Sequence, residues 1–396
     1  MNYHIITQEK FFHTYIEDIY RLGLQDENVI WVRGNEGKND FFQTDRPVEY
    51  LGNDWKHYQE KLKELKPGDR LFVSWYDLDI GRAILQSGIL NPIYVYLMGA
   101  EFYSMPYWWH AEWLFDPLTK RRVKQTKLYP RFFPKGKPWL WYRCKNWWKF
   151  KREVRQEYQS RLEMIKRIDY IVITEHSGPE VELVKRLYPG CKAKHVIGTF
   201  DQNFDIAKSL PLSPIPSEGI PVKILFGNSS DPNGNHLDAF RYIKTKLKGP
   251  YEVYSFLSYG DPDAKQWVLD YGTKLFGDAF HPVTEYMNKN AFVRFMLQMD
   301  VIMMYHNRQQ AEGNIMTALT LGKPVFMKPM NPQYEMLKRM GVKPVYDVRK
   351  MHVTDLRESI TLAQEHRAET MEAICAEYSD QSRLNHLKEL LCPVSS

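Results

Sequence analysis

The sequence is poor in cysteine and has no long apolar run, and each shortage excludes a class of protein. Its 396 residues include four cysteines, Cys144, Cys191, Cys375 and Cys392, none in a C-x-x-C pair. That scatter rules out a cysteine-rich zinc site and a disulfide framework and suits a reducing cytoplasm. No apolar stretch reaches the roughly 18 residues that would mark a membrane-spanning helix. The start, Met1-Asn2-Tyr3-His4-Ile5-Ile6, lacks the basic-then-apolar order of a signal peptide. Neither G-x-x-x-x-G-K-[ST] nor G-x-G-x-x-G occurs, so a P-loop or a dinucleotide-binding Rossmann site is not expected. The histidines form no H-x-x-x-H pair. No metal and no cofactor are expected, and His236 and His306 read as structural.

What is present is a chain long enough for two full cores. Strand-like and helix-like segments alternate, the pattern of parallel βα units. Strands are expected at Val29–Arg33, Arg70–Trp75, Pro92–Met98, Tyr170–Thr174 and Ala193–Ile197. A second series follows at Val222–Phe226, Tyr251–Leu257, Val301–Tyr305 and Pro324–Met327. Helices are expected at Thr284–Leu297 and, as long patterns, over Val353–Leu391. The proline- and serine-rich stretch 209–220 is the expected linker between an N-terminal domain, 1–208, and a C-terminal domain, 221–396.

One run breaks the alternation. Residues 119–155 hold 14 Lys and Arg against the single acid Glu153, interleaved with Trp139, Trp141, Trp147 and Trp148. Trp favours the lipid headgroup level, and clustered cations are drawn to anionic lipid. Arg131, Lys137 and these four tryptophans are the candidate membrane or acceptor contacts. Ordinary core packing and single-stranded nucleic acid are the rival readings, in that order, and a nucleic-acid partner is not expected.

Three strand ends in the second half carry small or polar residues: Gly227-Asn228-Ser229-Ser230, Ser258-Tyr259-Gly260, and Asn307 to Asn314, with Tyr305 and Ile315 also placed in the expected site. Strand ends of one parallel sheet share an edge, so these loops would converge. Small residues let a phosphate approach the backbone, and a helix starting near Glu312 would offer it free N–H groups. Arg308 is the candidate clamp for a departing diphosphate. Gln309, Gln310, Gly313, Asn314 and Ile315 complete the expected nucleotide-sugar site. Glu285 and Tyr286, read as the start of a helix, are placed at the ribose or base. Asp77-x-Asp79 and Asp261-x-Asp263 mimic a metal-binding D-x-D, but each precedes a helix, where Asp is a common cap.

Ile224 to Asp231 with Asn235-His236, then Ser258-Tyr259-Gly260, Arg308-Gln309-Gln310 and Leu321-Gly322-Lys323-Pro324-Val325, resemble the family-56 glycosyltransferases. Tyr96 to Tyr103 resembles the family's first-domain strand end more weakly. The resemblance covers roughly residues 70–110 and 220–335 and leaves out the basic run. It implies a GT-B fold, with two Rossmann-like domains and the donor nucleotide mainly on the second. It also implies transfer of a deoxyhexose-type sugar, fucose or N-acetylfucosamine-like, from a dTDP- or GDP-linked donor to a lipid-linked or surface glycan at the cytoplasmic membrane face. Bacterial polysaccharide biosynthesis would be the setting.

The chain departs from the family pattern where Glu101 stands for Asp, and after Gln310. Glu312 with Gly322-Lys323-Pro324 is similar to retaining GT-B enzymes, but Thr320 occupies their second Glu position, so inversion is expected. Inversion needs a base, and Glu101, at a first-domain strand end, is the candidate; a helix cap or a loop salt bridge is the alternative. Two other functions stay open. One is a GDP-fucose or UDP-sugar transferase with a soluble or protein acceptor; the other is a non-catalytic sugar- or nucleic-acid-binding protein.

Overall fold

The computed structural model describes residues 1–37, 42–103, 112–125, 155–156, 158–174, 178–198, 200 and 205–392. These form two compact units. One draws on the described residues of Met1–Tyr107, Gly136–Asp201 and Glu377–Ser396, the other on those of Trp108–Lys135 and Gln202–Ala376.

The first unit is built on seven strands: β1 (Asn2–Ile6), β2 (Asn28–Arg33), β3 (Glu49–Gly52), β4 (Arg70–Ser74), β5 (Ile93–Tyr96), β6 (Tyr170–Ile173) and β7 (Lys194–Ile197), in the order β3-β2-β1-β4-β5-β6-β7. Every strand pairing is parallel. A parallel sheet is covered on both faces, which is why its central strands are continuously apolar. Leu71, Phe72 and Val73 are all buried, as is the whole of β5.

The second unit holds β8 (Val222–Phe226), β9 (Tyr251–Phe256), β10 (Phe280–Val283), β11 (Val301–Met304), β12 (Val325–Met327) and β13 (Tyr346–Asp347). Their order is β10-β9-β8-β11-β12-β13, again all parallel. The chain builds outward from β8 through β9 to β10, then returns to place β11 on β8's other side. Between β8 and β11 the winding direction therefore reverses. In open α/β sheets that reversal opens a crevice at the strands' carboxyl ends, where ligands bind.

Three expectations are corrected. The helix expected at Thr284–Leu297 spans only Lys289–Leu297, because Asn288 caps it and the preceding Phe280–Val283 pairs as the edge strand β10. The long pattern from Val353 is three helices, Leu356–Glu365, Arg367–Tyr378 and Asp380–Leu391. The chain also does not divide once at 209–220. The helix Asp380–Leu391 belongs to the first unit, where Leu387, Leu390 and Leu391 join the core of Ile16, Val32 and Tyr96. Residues 112–125 belong to the second unit.

The terminal helix is held by charge as well as burial. Arg383 pairs with Asp18 at 2.7 Å, their side chains 6% and 1% exposed. Arg70 donates to the Leu390 and Leu391 carbonyls at the helix's end. The proline-rich stretch is likewise fastened to the second unit. Ser213 accepts a hydrogen bond from the Lys323 ammonium at 2.9 Å and donates to the Leu297 carbonyl. Arg367 reaches the Leu210 carbonyl. Burial pushes the Lys323 ammonium down to about 8, with Asp300 pulling it back up.

Two stability predictions follow from these anchors. Arg383→Ala leaves the buried Asp18 carboxylate with Arg21 as its remaining cation, at 3.0 Å, and is expected to lower stability in urea by about 2 kcal/mol; a loss below about 0.5 kcal/mol would show the pair to be idle. For Lys323, the folded chain releases the proton near pH 8 while the unfolded chain keeps it to about 10.4. Stability then rises with pH across that window. Urea midpoints between about pH 7.5 and about pH 9.5 should rise for the wild type relative to Lys323→Met, and parallel profiles would refute this.

Candidate functional site

The loops leaving β8, β9 and β11 meet at the second unit's winding reversal. Asn228 joins all three. Its amide donates to the Tyr259 hydroxyl at 2.9 Å, and its carbonyl oxygen accepts from the Gln310 amide at 2.8 Å. The Ser230 hydroxyl donates to the carbonyls of Tyr259 and Asp261. Gly260 sits at φ 111°, where a Cβ would fall 2.7 Å from the Ser230 oxygen and 2.9 Å from the Asp231 nitrogen. Only glycine lets these two loops approach so closely.

The helices Glu312–Thr320 and His236–Lys246 both start after a left-handed residue without a side-chain cap. Asp261, Asn288 and Asn331 cap the helices that follow them. Ala311, at φ 64°, places no side chain over the first turn of 312–320. The N-cap side chain makes no hydrogen bond to that positive end of the helix. Gly313 and Asn314 lie in that turn, half-buried. Arg308 stands in the same loop with its guanidinium donating to the Gln309 carbonyl, and Gln309 reaches Glu312 at 3.3 Å.

The structure therefore brings together Gly227, Asn228, Ser229, Ser258, Tyr259, Gly260, Arg308, Gln309, Gln310, Gly313 and Asn314. Ile315 does not present itself to a ligand: its side chain is fully buried and its N–H bonds the Ala311 carbonyl. Tyr305 is half-buried beneath the Lys328 ammonium, 4.0 Å from its ring centre. Glu285 and Tyr286 lie in the loop after β10 rather than in a helix, with Tyr286 78% exposed. Glu101 is in the helical turn Ala100–Tyr103 after β5, and its side chain lies outside the described residues. So do Arg131, Lys137, Trp139, Trp141, Trp147 and Trp148. Asp77 and Asp261 both cap helices, as their positions suggested.

Several polar residues beside these loops have a task that sequence reasoning missed. They seat residues 113–119 on the second unit. Asn235 donates to the Leu114 carbonyl and accepts from the Asp116 N–H. Asp238 accepts from the N–H groups of Leu118 and Thr119, capping the helix Pro117–Val123 from outside. Asn307 donates to the Trp113 carbonyl, and Lys328 bonds Asp116 at 2.5 Å and Asn307 at 2.7 Å. Burial lowers the Lys328 ammonium from its ordinary value, opposed by Asp116. The available signal was a lysine directly after the buried strand Val325–Met327, where a charge needs a partner.

Residues 199–381 match the family model described as 4-alpha-L-fucosyltransferase glycosyl transferase group 56. No curated protein matches the sequence. Among solved structures, sucrose-phosphate synthase from Thermosynechococcus elongatus aligns over 98% of this chain and 97% of its own, at 10% identity and TM-score 0.59. A UDP-forming α,α-trehalose-phosphate synthase from Burkholderia xenovorans aligns over 100% of both chains, at 11% identity and TM-score 0.59. The lipopolysaccharide outer core galactosyltransferase WaaB aligns over 98% of both, at 12% identity and TM-score 0.51. At such identities the likeness establishes the fold, GT-B, and with the group 56 match the chain is a glycosyltransferase. Among the described residues no helix is long and apolar enough to cross a membrane.

Asp116→Ala is expected to cost about 3 kcal/mol in urea unfolding, because it leaves the buried Lys328 charge without its counter-ion. An Asp116→Ala, Lys328→Met double variant should regain much of that loss. If the double variant is no more stable than the single, the pair is not what seats this segment.

Proposed function

We propose that this glycosyltransferase moves a deoxyhexose-type sugar, fucose or N-acetylfucosamine-like, from a nucleoside-diphosphate donor to a lipid-linked or surface glycan, with inversion and without a metal. The observation carrying the donor side is the uncapped start of helix Glu312–Thr320 beside Arg308, at the winding reversal between β8 and β11. In this reading the helix N–H groups and the guanidinium take up the negative charge on the diphosphate as its bond to the anomeric carbon breaks. Asn228, Ser229, Tyr259 and Gln310 bind the rest of the nucleotide, with Glu285 and Tyr286 near its ribose or base.

Glu101 is the base. Its carboxylate takes the proton of the acceptor hydroxyl, whose oxygen attacks the anomeric carbon from the face opposite the leaving diphosphate. The cationic, tryptophan-rich run within 119–155 supports an anionic membrane surface as partner. In this reading the enzyme works at the inner face of the cell membrane as a peripheral protein.

Thermal stabilisation by dTDP, UDP, GDP and ADP tests the donor site. A ligand at about 100 times its dissociation constant stabilises by about 2.7 kcal/mol. One of the four should do so selectively, and Arg308→Ala should weaken it roughly tenfold or more. Glu101→Gln should keep that stabilisation and lose turnover by roughly 100-fold or more. Absence of a shift with all four nucleotides would remove the donor site.

A further inference from the structure

This chain covers its aromatic side chains, with two exceptions. Among the described residues, Tyr259 and Tyr286 are the only Phe, Trp or Tyr that stand exposed, at 58% and 78%. Their places in the fold are matched. Phe256 and Val283 are paired across β9 and β10, and each tyrosine lies three residues beyond its member of that pair. Neighbouring strands run about 5 Å apart, so the two loops leave the sheet edge side by side. A single exposed aromatic is ordinary. Two at one register of adjacent strand ends, in a chain that covers the others, point to a flat partner.

Tyr259 is also held at both ends. Its hydroxyl accepts from the Asn228 amide at 2.9 Å, and its carbonyl accepts from the Ser230 N–H at 2.8 Å and the Ser230 hydroxyl at 2.9 Å. Asn228 is in turn bonded to Gln310 of the β11 loop. Pinned at backbone and hydroxyl, the ring stays in one place while more than half of the residue faces solvent. A ring fixed in this way binds with little further loss of side-chain entropy. Tyr286 differs. Among the described residues nothing hydrogen-bonds or stacks with its side chain, so it has no bond to break in turning.

The strand order gives the pair a direction. Along the edge the strands run β10, β9, β8, β11, so the β9 loop lies two strand spacings, roughly 10 Å, from the β11 loop that carries Arg308. An elongated ligand laid along this edge with its charged end at Arg308 has its other end at the tyrosines. A nucleoside diphosphate has that form: a diphosphate at one end, a flat base at the other, and a ribose between. The transferred sugar hangs from the far phosphate, away from the tyrosines.

We propose that Tyr259 and Tyr286 hold the donor's nucleobase by its faces, Tyr259 as the fixed floor and Tyr286 turning onto the opposite side. This rests on the donor reading of the β8, β9 and β11 loops and adds to it the means by which the base is held. Stacking uses the π-face that every base has. The two rings therefore supply affinity for the nucleoside and leave the choice among bases to groups at the base's edge.

Calorimetry on the full chain decides it. The nucleotide is whichever of dTDP, UDP, GDP and ADP the wild type binds most tightly. Inorganic pyrophosphate, measured by its displacement of that nucleotide, is the control without a base. Tyr259→Leu should weaken the nucleotide roughly tenfold or more and leave pyrophosphate unchanged. Tyr286→Leu should act in the same way, by roughly threefold or more. Tyr259→Phe keeps the ring and loses only the bond to Asn228, so its nucleotide affinity should stay within about threefold of the wild type. In protein with ¹³C-labelled tyrosine rings, nuclear Overhauser contacts should join Tyr259, assigned by its loss in Tyr259→Phe, to protons of the bound base. Those contacts and Tyr286→Leu decide the matter if Tyr259→Leu does not fold. Unchanged nucleotide affinity in the leucine variants, an equal loss for nucleotide and pyrophosphate, or Overhauser contacts to the ribose alone overturns the stacking and leaves the donor site in place. A wild type that binds none of the four nucleotides overturns the donor site, and the base platform with it.

Discussion

Parallel pairing is the constraint on which the rest of this structure depends. A parallel strand reaches its neighbour only by a crossover, so each strand of the second unit delivers its following loop to one edge of the sheet. Residues as far apart as Asn228, Tyr259 and Gln310 become hydrogen-bonded neighbours for that reason alone. The reversal between β8 and β11 then decides where along the edge a ligand finds room. Chemistry follows topology here: Arg308 and the start of helix Glu312–Thr320 both follow β11, on one side of this reversal.

The same edge does a second task. Asn235, Asn307 and Lys328 leave the strand ends pointing at protein rather than ligand, and they hold residues 113–119 through both backbone and side chain. One loop, Tyr305 to Ala311, therefore carries a structural anchor at Asn307 and, at the next residue, the Arg308 guanidinium bonded to the Gln309 carbonyl. Successive residues in an extended loop point in different directions, which lets one short segment serve both. Loss of the Asp116–Lys328 contact would be felt in the Tyr305–Ala311 loop, because Lys328 also holds Asn307.

Enclosed polar groups are accommodated in two ways. Lys323, Lys328, His236 and His306 are all buried, and burial shifts each toward its neutral form. The two lysines have partners, Ser213 and Asp116, and act as fasteners. The histidines have each one nitrogen satisfied and one left open.

Most of the sheet was legible in the chain. Val301–Met304 is apolar throughout and Val222–Phe226 is apolar but for Lys223, because both faces of a parallel strand are covered, and a run of that kind has few other readings. The small residues after them, and the resemblance they carry, located the β8, β9 and β11 loops. Asp77 and Asp261 were readable as caps because capping is a local interaction. What only the tertiary structure decided is what depends on distant partners. Phe280–Val283 is a strand because β9 offers it an edge, although Pro282 argues against one. Helix 380–391 returns to the first unit because Asp18 and the β1–β2 core await it there. Asp116 meets Lys328 across some 200 residues of chain, and no spacing rule reaches that far. Nor does a sequence tell whether a histidine nitrogen is satisfied, since that depends on Asn331 in one case and the Ser229 backbone in the other.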